Sequence, residues 1–176
     1  NSSSPQSEEM SCNPKTAYAK AKLLSTKYLI NCFKEKNFPA TILRIYQVYG
    51  PKQDQNRFIP IIIEGCRKNN NFPCSKGDQS RDFLFVSDAV DAIIKSLTIK
   101  NSNGNIINIG QGKADKIKKI IILIKNIFKK GSPIFGAIKM RSDELKTIYP
   151  NIKKAKKILG WTPKVPLKNG IKKSIK

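Results

Sequence analysis

Apolar residues recur along this chain in short blocks whose spacing switches between helix-like and strand-like. Residues 14–36 predict a helix, because Ala17, Ala21, Leu24, Tyr28 and Cys32 return every three or four positions as one buried stripe. Asn13 then serves as N-cap, and Pro14 occupies the first helical position. Residues 40–45 (Ala-Thr-Ile-Leu-Arg-Ile) are rich in β-branched side chains and nearly continuous in apolar character, as a buried parallel strand requires. Tyr49-Gly50-Pro51 breaks that run, and 52–56 read as polar loop. A helix over 58–68, a loop over 69–80 and a short strand over 82–86 follow. Ser87 or Asp88 can cap a helix reaching Thr98. Another strand, 105–109, ends at Gly110-Gln111-Gly112, and 114–130 form a further amphipathic helix. Residues 151–159 predict a capped helix stopped by Gly160, with Trp161 and Pro163 beyond it.

Strands alternating with helices indicate an α/β protein, and no internal repeat interrupts the pattern. A chain of 176 residues can bury one sizeable core, so a single domain is the default. Three or four strands make a small sheet for a doubly wound architecture. Preceding strand–helix–strand units are therefore expected to be absent, and the missing initiator Met fits a start within a larger protein. The longest apolar runs, 120–124 and the proline-interrupted 58–63, fall far short of the roughly 20 residues a membrane span needs. With no basic-then-apolar leader at the N-terminus, a cytoplasmic protein without a membrane partner is expected.

Charge complicates this picture. Lys and Arg number 34 against 12 Asp and Glu, a formal +22 that invites a nucleic-acid reading. Only Arg44, Arg57, Arg67, Arg81 and Arg141 are arginines, however, and arginine is the preferred reader of phosphates and bases. The lysines are scattered and accompany many Asn and Ile, which share A/T-rich codons with Lys. Codon composition accounts for the excess, and residues 153–176 read as the solvated faces of terminal helices. A nucleic-acid-binding module stays open as an alternative, although no helix-turn-helix, zinc-finger or aromatic RNA-binding signature accompanies the charge.

Cys12, Cys32, Cys66 and Cys74 lack any Cys-x-x-Cys spacing, which argues against a zinc ribbon or a dithiol site and fits reduced thiols. The chain contains no histidine, so histidine triads, histidine–metal sites and histidine acid/base chemistry are excluded within it. Chemistry must rest on Tyr, Lys, Ser/Thr, carboxylates or Cys. Tyr18 and Lys22 stand four apart on the first helix, within reach of each other on one face. A nearby ammonium favours the phenolate, so such a pair can act as a general base toward a hydroxyl. Alone, Tyr-x-x-x-Lys is a common pattern in a lysine-rich chain.

Other motifs follow it in order. Arg44 ends the strand and Tyr46-Gln47-Val48-Tyr49-Gly50-Pro51 comes next. Gly77 through Asp88 reads Gly-Asp-Gln-Ser-Arg-Asp-Phe-Leu-Phe-Val-Ser-Asp, and Asn108-Ile109-Gly110, Arg141-Ser142-Asp143 and Leu159-Gly160-Trp161-Thr162-Pro163 complete the set. From about Asn13 to the C-terminus the chain resembles the extended short-chain dehydrogenase/reductase family, and within it the NAD-dependent nucleotide-sugar epimerases and dehydratases. The resemblance implies the C-terminal part of a Rossmann-like doubly wound parallel sheet plus a small α/β substrate-binding subdomain. Residues 1–50 and about 82–109 would form the back half of the core, and about 51–81 and 110–176 the subdomain.

The same resemblance implies roles. Tyr18 would be the catalytic base and Lys22 its partner, which also holds the nicotinamide ribose of NAD or NADP. The backbone at Ile45 and Tyr46 would border the nicotinamide, and Gln47 would contact substrate. Arg81 and Arg141 would meet the diphosphate of a nucleotide sugar. A homodimer built on the Tyr–Lys helix is expected on the same grounds. Asp82 and Asp88 are expected to be structural, as turn and helix-cap residues.

Three features depart from the family pattern. Gln47 stands where Asn usually precedes Val-Tyr-Gly. The run Ser2-Ser3-Ser4 ends only 14 positions before Tyr18, too close for the family's catalytic hydroxyl, and reads as loop. No Gly-x-x-Gly-x-x-Gly turn follows any strand, and Gly110-Gln111-Gly112 is too short to replace it. The expected activity is therefore that of an epimerase, dehydratase or reductase acting through transient oxidation of a sugar hydroxyl. This stretch would be a fragment of poor activity alone, and a degenerate, non-catalytic family member is a further alternative.

Overall fold

A computed structural model of the chain describes residues 4–140 and 144–175. The first helix, α1, spans Ala17–Lys36 and starts later than the sequence predicts. Its N-cap is Thr16, whose hydroxyl accepts the Ala19 N–H at 3.2 Å, rather than Asn13. Its predicted buried face is also corrected. Ala17, Ala21, Leu24 and Tyr28 are exposed and Cys32 is only partly covered, whereas Ala19, Leu23, Thr26, Ile30 and Phe33 lie half-buried toward the body. The helix carries two apolar stripes, and only the second finds a partner within these residues. Phe33 rests on Gly104, where φ is +73° and a Cβ would enter the ring.

The strands β1 (Ile42–Ile45) and β6 (Ile106–Ile109) pair in parallel, Ile42 opposite Ile106 through Ile45 opposite Ile109. The chain leaving β1 continues as β2 (Gln47–Tyr49), which pairs in parallel with β5 (Phe83–Phe85) instead. One extended run thus changes partner at Tyr46, whose N–H still bonds the Ile109 carbonyl at 2.9 Å. Helix α3 (Val86–Thr98) follows β5 directly. Ala89 and Ala92 on α3 join Leu84, Ile107, Ile109 and Trp161 in one core.

Helices α2 (Phe58–Arg67) and α4 (Ile117–Phe128) pack together across a second core. Each offers apolar residues at the same 0, 3, 4, 7 spacing: Ile59, Ile62, Ile63 and Cys66 on one, Ile117, Ile120, Ile121 and Ile124 on the other. Burying each isoleucine contributes roughly 1.5–3 kcal/mol. Around them lie short strands within stretches the sequence assigns to loop or helix or leaves unassigned. They are β3 (Asn71–Cys74) parallel to β8 (Ser132–Phe135), and β4 (Ser80–Arg81) between antiparallel β7 (Asp115–Lys116) and parallel β9 (Thr147–Ile148). The chain closes with α5 (Lys153–Leu159), ended by Gly160 in the left-handed region at φ +55°, and α6 (Leu167–Ile175). This α/β arrangement is a partial Rossmann-like fold. No described helix is long and apolar enough to cross a membrane, and the four cysteines are unpaired.

Two buried carboxylates staple the chain without capping a helix. Asp88 lies within the first turn of α3, whose N-cap is Phe85, so neither it nor Ser87 is the cap. Its Oδ2 accepts the N–H groups of Lys164 and Val165 at 3.0 and 2.9 Å, while its carbonyl accepts from the Trp161 indole at 3.0 Å. Asp82 accepts the N–H groups of Gln111 and Gly112 at 2.8 Å and of Lys113 at 3.3 Å. Burial, partly opposed by those three donors, pushes the Asp82 carboxyl up to about 6.

Candidate active site

The partner switch between β1 and β2 opens the chain beside the carboxyl end of a parallel strand, where α/β folds usually take ligands. Two adjoining clefts occupy this place. One, of about 380 Å³, is walled by Gln47, Gln79, Arg81, Phe83 and Glu144 among others. The second, of about 630 Å³, is walled by Ile45, Tyr46, Gln53, Asn56 and Arg57. Gln47, Phe58 and Phe83 belong to both. The structure therefore sets Gln47 and Arg81 on one cleft, and Ile45, Tyr46 and Gln47 on the one adjoining it.

Arg81 is 8% exposed, on β4. Its guanidinium donates to Glu144 Oε1 at 2.7 Å and to the Ser80 carbonyl at 2.8 Å. This ion pair fixes the plane of the guanidinium on the cleft wall, and it sets a carboxylate beside any anion that approaches. Gln79, also on this wall, donates its amide to the Ser75 hydroxyl at 3.2 Å, while its Oε1 is buried with no hydrogen-bond partner among the described residues. An unsatisfied buried acceptor costs about 1–3 kcal/mol.

Tyr18 and Lys22 stand elsewhere, on the uncovered side of α1. Tyr18 is 73% exposed, and the Lys22 ammonium lies 5.6 Å from the centre of its ring. Neither residue walls the two clefts. Two other tyrosines do, and neither suits a base. Burial first, and the Asp82 charge second, push the Tyr46 hydroxyl up to about 12. It donates to Gln6 Oε1 at 2.7 Å. Burial raises Tyr49 further still, and its hydroxyl donates to the Leu167 carbonyl at 3.3 Å.

The N-terminal loop is tied over the ends of β1 and β6. Glu8 Oε1 accepts the Asn108 N–H at 2.8 Å, and the Asn108 amide donates to the Gln6 carbonyl at 2.9 Å. Ser4 accepts from the Tyr149 N–H at 3.3 Å and donates to the Thr147 carbonyl at 3.0 Å; Ser2 and Ser3 lie outside the described residues. So does Arg141. Sequence reasoning missed Glu144 and Gln79: no local pattern announces an ion pair spanning 63 positions, or an amide left half-satisfied by folding. The glycine turn at 110–112 offers no phosphate cradle, because the N–H groups that would line it already bond Asp82.

Residues 1–110 match the model of the NAD dependent epimerase/dehydratase family. The chain is 33% identical over 140 residues to the CDP-abequose synthase of Salmonella typhimurium, covering 76% of this chain and 46% of that one. It is 33% identical over 170 residues to human dTDP-D-glucose 4,6-dehydratase, covering 92% of this chain and 48% of that one. The structure matches the UDP-glucuronic acid 4-epimerase of Bacillus cereus, solved with UDP-glucuronic acid and NAD, at a TM-score of 0.89 and 28% identity. That match covers 99% of this chain and 56% of the other. The chain thus spans about half the length of the relatives it matches. The Tyr-Gly-Pro turn, the Arg-Asp-Phe run, the fold and these likenesses converge: the chain belongs to the NAD-dependent epimerase/dehydratase family.

Proposed function

We propose that this chain carries the Tyr–Lys base and the substrate cleft of an NAD(P)-dependent nucleotide-sugar epimerase, dehydratase or reductase. The observation that carries this reading is the pair of adjoining clefts at the β1–β2 switch, with Arg81 on the wall of one and Ile45 and Tyr46 on the wall of the other. The diphosphate lies beside Arg81, and Arg141, outside the described residues, is its second proposed partner. Gln47, shared by both clefts, contacts the sugar. Tyr18, exposed on α1 and outside the walls of both clefts, is the base in the site that a glycine-rich unit completes beside them: there it takes the proton from a sugar hydroxyl, and Lys22 steadies the phenolate and the nicotinamide ribose. NAD or NADP, when bound, supplies the hydride acceptor. The residues of this chain fit the nicotinamide end of that cofactor alone. They include no Gly-x-x-Gly-x-x-Gly turn for its pyrophosphate, so the reaction needs a glycine-rich unit besides these 176 residues. In this reading residues 1–50 and about 82–109 belong to the Rossmann-like core, and about 51–81 and 110–176 to a substrate subdomain.

Calorimetric titration of the chain with UDP, dTDP, CDP and GDP tests the substrate cleft. At least one of them binds, and Arg81→Gln weakens that binding about tenfold, the loss of one charge-assisted hydrogen-bonded contact. Glu144→Gln, which removes the competing carboxylate, leaves the affinity unchanged or raises it. Binding by none of the four, or binding indifferent to Arg81→Gln, removes the substrate reading.

The uncovered stripe of α1 supports a second part of the proposal, a homodimer formed through that helix. Leu24 and Tyr28 are 66% and 68% exposed, an unusual state for two large apolar residues on one helix face. Leu24→Glu with Tyr28→Glu is expected to weaken self-association at least tenfold in sedimentation velocity. Stability of the monomer should move by no more than about 0.5 kcal/mol, because both side chains are largely exposed and Tyr28 meets only Cys32 on its own helix. Unchanged association places any dimer contact elsewhere.

A further inference from the structure

We infer that the larger cleft is a sugar subsite selective for an anionic sugar, a hexuronate, and that Arg57 reads its carboxylate. The inference rests on the reading above, in which the diphosphate lies beside Arg81. A sugar attached to it then extends past Gln47 toward Ile45 and Tyr46, into the second cleft.

The two clefts differ in their acids: the first is walled by Arg81, Lys139 and Glu144, the second by Arg57 alone among charged side chains of the described residues. Arg81 is answered by Glu144 on its own wall. Among the described residues the second cleft has no carboxylate on its wall, and Arg57 is its one charged side chain. The arginines differ in the same way. Arg44 donates to the Glu8 carbonyl and the Cys12 sulfur, Arg67 to Glu64 and the Ile175 carbonyl, and Arg81 to Glu144. Among the described residues Arg57 alone leaves its guanidinium without an acceptor. No ion pair among the described residues joins it to its nearest acid in sequence, Asp54, whose Oδ1 accepts the Asn56 N–H at 3.0 Å.

While the guanidinium is free, the backbone that carries it is fixed. The Arg57 N–H donates to the Asp54 carbonyl at 3.0 Å, and the Arg57 carbonyl accepts from Ile61 at 3.0 Å. Arg57 is thereby the N-cap of α2, at φ −90° and ψ 154°. The positive end of that helix adds to the field at the cleft mouth. An unpaired fork of N–H donors on a fixed base, facing no competing acid, suits a planar carboxylate in bidentate geometry. A hydroxymethyl group at the same sugar carbon offers no charge to answer it.

The test uses the 176-residue chain and the nucleoside diphosphate that binds best, conjugated to glucose and to glucuronate. At low salt the glucuronate conjugate is expected to bind about fivefold to tenfold more tightly, as befits a charged contact at an exposed arginine. Arg57→Gln brings the two conjugates within about twofold by weakening only the glucuronate one, and Arg57→Lys retains part of the preference. Equal affinities in the unsubstituted chain, or a preference that survives Arg57→Gln, overturn the inference while the substrate reading stands. If no nucleoside diphosphate binds, or Arg81→Gln is without effect, the substrate reading fails and the inference with it.

Discussion

Tyr18→Phe is expected to lower turnover of the nucleotide sugar by roughly 10²–10⁴-fold, the usual worth of a positioned general base. The measurement belongs in a protein in which these residues are joined to a glycine-rich dinucleotide-binding unit, followed as formation of reduced cofactor in a single turnover. The loss should appear without loss of fold, because Tyr18 is 73% exposed and makes no hydrogen bond among the described residues that its removal would break. Equal melting temperatures for the two proteins separate the chemical effect from a structural one. Lys22→Met is expected to act in the same direction and less severely, by removing the ammonium 5.6 Å from the ring. No neighbouring tyrosine can substitute. Tyr46 is pushed up to about 12 and engaged with Gln6, and Tyr49 is raised further and engaged with Leu167. Full activity in Tyr18→Phe would end the assignment of the base.

How much of this was legible before the fold depended on the length of each signal. Helices α2 and α4 announce themselves through identical apolar spacing, which one packed core then uses on both sides. Helix α1 was equally visible as a helix, but its two stripes are similar in apolar character. Periodicity marks both and cannot say which one meets the body. Strands β3 and β8 were invisible because four residues are too few to show alternation, and Pro73 and Pro133 sit inside them. Such strands are held by their partners and by the α2–α4 core rather than by their own propensity.

The site was legible in the same uneven way. Gln47 and Arg81 stood out through the motifs around them, and their meeting in one cleft follows from the change of partner at Tyr46. That bend is a tertiary event, since both halves of the run read as ordinary strand. Glu144 could not be found, because its meaning comes entirely from the guanidinium that reaches it across the fold. Asp88 misled for a related reason. An acid near a helix start usually caps, whereas here the carboxylate is buried and its free acceptors serve the segment after Trp161.

Asp82→Asn is expected to destabilise the chain by on the order of 2 kcal/mol at about pH 7, through buried N–H groups left facing an amide that can accept at one atom only. The pH dependence makes the test sharper. The ordinary value for this carboxyl is 3.8, and the folded chain raises it to about 6 because burial outweighs the three N–H donors. A group raised on folding holds its proton more tightly in the native state. Its contribution is therefore full below about pH 4 and is lost as the pH climbs through about 6. An asparagine titrates in neither state. The stability gap between the two proteins should thus widen on going from about pH 7 to about pH 4.5, by at most roughly 2–3 kcal/mol. Urea unfolding of both proteins across that range measures it, and taking the difference cancels the other acidic groups common to both. A gap that narrows toward low pH would mean that the bonds from Gln111, Gly112 and Lys113 hold the carboxylate more strongly than burial penalises it. Asp82 would then be a charged anchor rather than a partly protonated one, and the turn at 110–112 would loosen on acidification instead of tightening.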